Sequence, residues 1–105
     1  MSALDLSLYG RLVIKDGSSL LVDDNGQLNR RWLESLADDV ASLAISGHEI
    51  VIVSSGAIAL GSVVLGINKQ RARLEDLQAA AAAGQVQLVH AYQEALRQYD
   101  IAAAQ

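Results

Sequence analysis

The chain has 105 residues, 51% of them hydrophobic, with no Cys, no Pro and a net charge of −4 at pH 7. This supports one core of helices packed on a sheet, and excludes disulfides, Cys-ligated zinc and thiol catalysis. An acidic chain offers no overall positive field for a phosphate backbone or an anionic membrane, so neither nucleic acid nor membrane is an expected partner.

Residues 1–10 lack the basic start and apolar centre of a signal peptide and read as an N-terminal tail. No apolar run approaches the roughly 18 residues of a membrane span, and a cytoplasmic location is expected. The short apolar run Leu12–Lys15 predicts a strand over about 12–16, ending in the turn Asp16-Gly17-Ser18-Ser19. A second run, Leu20–Val22, leads to a loop or hairpin signal at Asp23-Asp24-Asn25-Gly26. With Asn29 as N-cap, the spacing of Leu33, Leu36, Val40 and Leu43 predicts an amphipathic helix over about 30–46, ended by Gly47. Ile50-Val51-Ile52-Val53 is a continuous β-branched run, the pattern of a parallel strand over 49–53 buried on both faces. Together these segments form a βαβ unit, expected to be right-handed.

Ser54-Ser55-Gly56 leads into a helix predicted over 57–65, with Gly66 as its left-handed cap. The basic, aperiodic stretch 68–73 belongs in an exposed loop. Beyond it Leu77, Ala81, Leu88, Tyr92, Ala95 and Tyr99 trace a helix over about 74–98. Gly84 interrupts that helix at about 1 kcal/mol relative to Ala. The run Ala79–Ala83 lets it approach another backbone closely, and residues 101–105 read as the start of a further element.

Two stretches could carry chemistry. In Lys15-Asp16-Gly17-Ser18-Ser19 a lysine at a strand end precedes a glycine turn whose amides could hold phosphate oxygens. An ordinary turn with a solvent-facing lysine competes, because Walker A and dinucleotide spacings are both absent. At Ser54-Ser55-Gly56-Ala57 the free amides of a helix start favour a carboxylate or phosphate, and such junctions are where open α/β sheets hold ligands. Simple N-capping by Ser54 or Ser55 competes. His48 reads as an exposed turn residue and His90 as a surface or packing residue, while Trp32, Tyr92 and Tyr99 read as packing groups. No spacing suggests a metal site made by side chains alone.

Taken in order, the segments Arg11-Leu12-Val13-Ile14-Lys15, Gly17-Ser18-Ser19-Leu20-Leu21, Leu28-Asn29-Arg30 and Ser46–Gly61 resemble the glutamate 5-kinase branch of the amino acid kinase family. Gln78–Gln85 and Ala104-Gln105 resemble that branch's next helix and the start of its next strand. The Ser-Ser-Gly-Ala turn differs from the His and Gly-run signature of acetylglutamate kinases and from the Gly-rich turn of uridylate kinases. The resemblance implies an α/β fold, a partial three-layer αβα sandwich with a mainly parallel sheet. Residues 11–105 would form the N-terminal portion of the kinase domain.

The resemblance further implies phosphorylation of the L-glutamate γ-carboxylate by ATP with Mg²⁺, the first step of proline synthesis. Lys15, Gly17 and Ser18 would meet the ATP phosphates, with Lys15 catalytic. Ser55, Gly56 and Ala57 would meet glutamate. Proline as a feedback ligand and a homo-oligomeric assembly come with the same resemblance. Asp16 departs from it, because the family places an apolar residue there, and a carboxylate buried without a partner is costly. The remaining catalytic groups lie beyond residue 105 in the family, so the chain alone is expected to be inactive. Two other readings stand beside this one: a non-catalytic half-domain that binds a small anion or self-associates, and another amino acid kinase such as an aspartokinase.

Overall fold

A computed structural model describes residues 5–68 and 70–105, with Ser18 described by its backbone alone. Within the tail, Leu6–Leu8 make one 3₁₀ turn capped by Asp5, whose carboxylate accepts from the amide and hydroxyl of Ser7. These two bonds hold the Asp5 carboxyl below its ordinary value.

Strand β1 spans Arg11–Asp16, helix α1 Ser18–Leu21, helix α2 Arg30–Ile45, strand β2 Glu49–Ser54, helix α3 Ala57–Leu65 and helix α4 Leu74–Arg97. β1 and β2 pair in parallel, from Arg11 opposite Glu49 to Asp16 opposite Ser54. The parallel α/β arrangement expected from the sequence is therefore present. The stretch after Gly17 differs from the expected loop, because Leu20 and Leu21 turn back to donate to the Gly17 carbonyl and close one helical turn. The Asp23–Gln27 loop is then shut by an isolated antiparallel bridge, Val22 to Leu28. Asp23 fixes it by accepting from the amides of Asn25 and Gln27, both at 2.9 Å.

Asn29 caps α2 as expected, its side chain accepting from the Trp32 amide at 3.1 Å. Gly66 ends α3 at φ 67°, a conformation that an L side chain resists. α3 and α4 cross with their backbones in contact. A methyl group at Gly61 would lie 1.6 Å from the Ala80 carbonyl oxygen, and one at Gly84 would lie 1.7 Å from that of Ala57.

One face of the sheet carries Leu12, Ile14, Ile50 and Ile52, and the last three pack on Ala37 and Val40 of α2 and Leu96 of α4. A second cluster joins Leu21, Val22, Leu33, Leu60, Leu88, Ala91 and Tyr92, linking α1, α2, α3 and α4. The other face is open. Val13 is 65% exposed, Val51 45% and Val53 47%, so β2 is not buried on both faces as its sequence suggests. The physical reason is that α2 and α4 cover one face, and among the described residues nothing covers the other. Residues 101–105 form no strand, although Ile101 and Ala103 pack against the Leu96 cluster and Gln93 donates to the Ala103 carbonyl.

Candidate active site

The parallel pairing brings the carboxyl ends of β1 and β2 side by side, and with them the two turns singled out in the sequence. This is the end of an open α/β sheet at which ligands bind. Strand alternation places Lys15 on the open outer face, where it is exposed, and among the described residues it makes no ion pair. Gly17 follows as an exposed backbone with no atom within 4 Å of where a Cβ would stand. Ser18 begins α1, and its side chain lies outside the described residues.

Across the sheet, Ser55 is exposed and its Oγ donates to the Asp16 carbonyl oxygen at 3.4 Å. Gly56 is the buried N-cap of α3, close enough to α1 that a Cβ there would meet Leu21 at 3.0 Å and Val22 at 3.1 Å. Ala57 opens α3 and is partly buried against the core. No side chain caps this helix, since Ser55 is turned toward β1 and Ser54 Oγ has no partner. Simple capping by either serine is therefore not what these residues do. The first amides of α3 stay without a side-chain acceptor, and the positive end of the helix dipole adds to them.

Asp16 turns the opposite way from Lys15. It is buried, and its Oδ2 accepts a hydrogen bond from the Tyr92 hydroxyl while Oδ1 has no partner. Burial first, then the hydrogen bond and charge of Asp16, push the Tyr92 phenol well above its ordinary value. Nothing local in the sequence announces this pair, because its members stand 76 residues apart and Tyr92 lies on a helix stripe that reads as packing. Since Asp16 faces inward, its charge is withdrawn from any anion held at the turns. For the same reason the Lys15–Ser18 turn offers no carboxylate to a divalent cation, and among the described residues no three metal-ligating side chains converge.

His48 is half-buried rather than exposed, lining the same hollow as Val40 and Ala44, and its Nδ1 has no partner. His90 stays at the surface, 3.0 Å from Glu94 one turn along α4. A concavity of about 550 Å³ lies away from the Lys15 turn. It runs beside β2 and residues 101–105, and Ser54 and Tyr92 are among the residues that line it.

A parallel α/β unit thus brings a lysine-glycine turn and an uncapped helix start to the same sheet end, where both can meet an anionic group. Residues 10–105 match the amino acid kinase family, and the chain belongs to that family. It is 53% identical over 97 residues to glutamate 5-kinase of Brucella abortus (strain S19), an alignment covering 92% of this chain and 26% of that protein. It is 55% identical over 91 residues to glutamate 5-kinase 1 of Mesorhizobium japonicum, covering 87% of this chain and 24% of that one. The chain thus spans about a quarter of the length of the curated relatives it matches.

Proposed function

We propose that this chain is the N-terminal portion, residues 11–105, of a kinase domain that transfers the γ-phosphoryl group of ATP to the γ-carboxylate of L-glutamate, the first step of proline synthesis. The observation that carries the reading is the meeting of the two turns at one sheet end, joined by the Ser55–Asp16 contact. Identity above one half to proteins named glutamate 5-kinase supports glutamate over aspartate as the acceptor.

Bringing a carboxylate to a triphosphate concentrates negative charge, so the site must neutralise it and hold donor and acceptor in line. Lys15 supplies a mobile positive charge on the exposed face, and the backbone of Gly17 and Ser18 approaches the phosphates without steric obstruction at Gly17. Ser55, Gly56 and Ala57 hold glutamate through a hydroxyl and the first amides of α3. A Mg²⁺ ion bound with ATP would supply charge neutralisation there, and Asp16, which faces the core, is not placed to hold it. A cytoplasmic location, a homo-oligomer and proline as feedback ligand complete the reading.

The test is kinetic and uses the full-length protein. Lys15→Ala should lower kcat by about 10²-fold, the scale of losing one charge-stabilising group. Ser55→Ala should raise the glutamate KM about tenfold at similar ATP KM. Unchanged constants in both variants would remove the assignment. The 105-residue chain alone should release no ADP in response to glutamate. One observation favours a second reading, a self-associating module: Val13, Val51 and Val53 stand exposed together on one sheet face. Failure of the full-length protein to phosphorylate any amino acid would leave that reading in place.

A further inference from the structure

Asp16 is 3% exposed, the only buried charged residue among those described. Three elements meet at it. Its backbone ends β1, its main-chain oxygen accepts from Ser55 Oγ in the turn between β2 and α3, and its carboxylate accepts from Tyr92 in the C-terminal part of α4. A carboxylate buried with one oxygen unpartnered is less favourable than an apolar side chain of similar size. The surroundings do not call for an acid either, since Tyr92 shares its cluster with Leu21, Leu33 and Leu88.

Stability therefore gives no account of this residue, whereas direction does. Apolar contacts allow a strand end to slide, but a hydrogen bond to a carboxylate is short and directional. Lys15 immediately precedes Asp16 and Gly17 immediately follows it, so whatever fixes residue 16 fixes both.

We propose that Asp16 and Tyr92 are a positioning pair, which anchors the Lys15–Gly17 turn to α4 and so sets its placement against the Ser55–Gly56 turn. The proposal rests on the kinase reading for what the two turns hold. It assigns Tyr92, a residue remote in sequence from both turns, a part in keeping the phosphoryl donor and acceptor in register. Misplacement by about 1 Å is enough to slow such a transfer by about 10²-fold.

The deciding experiment compares amide spectra of the ¹⁵N-labelled 105-residue chain. The double variant Asp16→Leu with Tyr92→Phe replaces both partners by apolar groups and leaves neither orphaned, so its urea midpoint should stay near that of the parent. Its Gly17, Ser55 and Gly56 amides should nonetheless move, while Gly66 at the far end of α3 stays in place. Asp16→Asn, which keeps an acceptor for the Tyr92 hydroxyl, should bring those amides back towards their parent positions. Unchanged Gly17, Ser55 and Gly56 amides in a folded double variant would overturn the proposal. If that variant does not fold, Tyr92→Phe alone is read in the same way.

In the full-length protein, Tyr92→Phe should lower kcat about tenfold or more with both KM values within about threefold. A loss confined to KM would count against the pair. A full-length parent that leaves glutamate untouched would refute the substrate, and the amide comparison would still decide the positioning.

Discussion

Tyr92 carries a consequence for pH that follows from its surroundings. Its phenol is raised above the ordinary value of 10.0 by burial and by Asp16, so the folded chain keeps that proton after the unfolded chain has released it. The folded state then binds more protons than the unfolded state, and stability falls as pH rises. The contribution is fully present below pH 10 and is lost progressively above it. Urea unfolding from pH 8 upward should therefore show a flat region and then a decline, and Tyr92→Phe should lack the Tyr92 part of that decline. Identical alkaline slopes in parent and variant would mean that the phenol ionises freely. Asp16→Ile by itself should gain less than a simple apolar replacement, because it strands the Tyr92 hydroxyl. Removal of Oδ1 and loss of the bond to Oδ2 act in opposite directions, each by about 1–3 kcal/mol.

Among the elements, the contact between α3 and α4 is the one most sensitive to a single methyl group. On an exposed helix Gly84→Ala would gain about 1 kcal/mol from helix propensity. Here the new Cβ would fall 1.7 Å from the Ala57 carbonyl oxygen, so the helices must separate, and overpacking of this kind costs about 1–3 kcal/mol or more. The larger effect decides the sign. Gly84→Ala and Gly61→Ala should each lower the urea midpoint, and an unchanged midpoint would show that the crossing can relax without cost.

The sequence made this crossing legible through its small residues, and it made α2, α3 and α4 legible through periodicity, Asn29 and Gly66. The meeting of the Lys15 and Ser55 turns was legible as well, once a parallel pairing was assumed. The rest depended on partners distant along the chain. The Ser18–Leu21 turn was hidden because four residues carry no period. The inward set of Asp16 was hidden because its partner stands on α4. The exposure of Val51 and Val53 was hidden because an apolar run records what a strand is suited to, not what covers it.

At the scale of the molecule, the chain is more open than its length allows for a self-sufficient domain. Its radius of gyration is 15.5 Å, against about 13 Å for a compact domain of some 100 residues. Its accessible surface is 7311 Å², against about 5,700 Å² for a folded monomer of this mass. The excess is about twice the roughly 800 Å² that one partner buries in a standard protein–protein interface. With Val13, Val51 and Val53 exposed on a two-stranded sheet, the isolated chain should associate. Sedimentation velocity over a concentration series is expected to show a rising mass, and a constant monomer at high concentration would contradict it.

The glycine crossing also divides the molecule by durability. α3 and α4 are neighbours along the chain, separated by residues 66–73, whereas β1 must find β2 across α2 and then leaves its outer face in water. Closing the longer span carries the larger entropy, and the sheet has less buried surface with which to offset it. The helical pair should therefore outlast the sheet as a separate cooperative unit when the native state opens in part. Hydrogen exchange under native conditions would reveal this as slow amides around Ala80–Leu88 and faster ones along Arg11–Asp16. The turn that bears Lys15 would then belong to the part of the molecule that opens first and closes last.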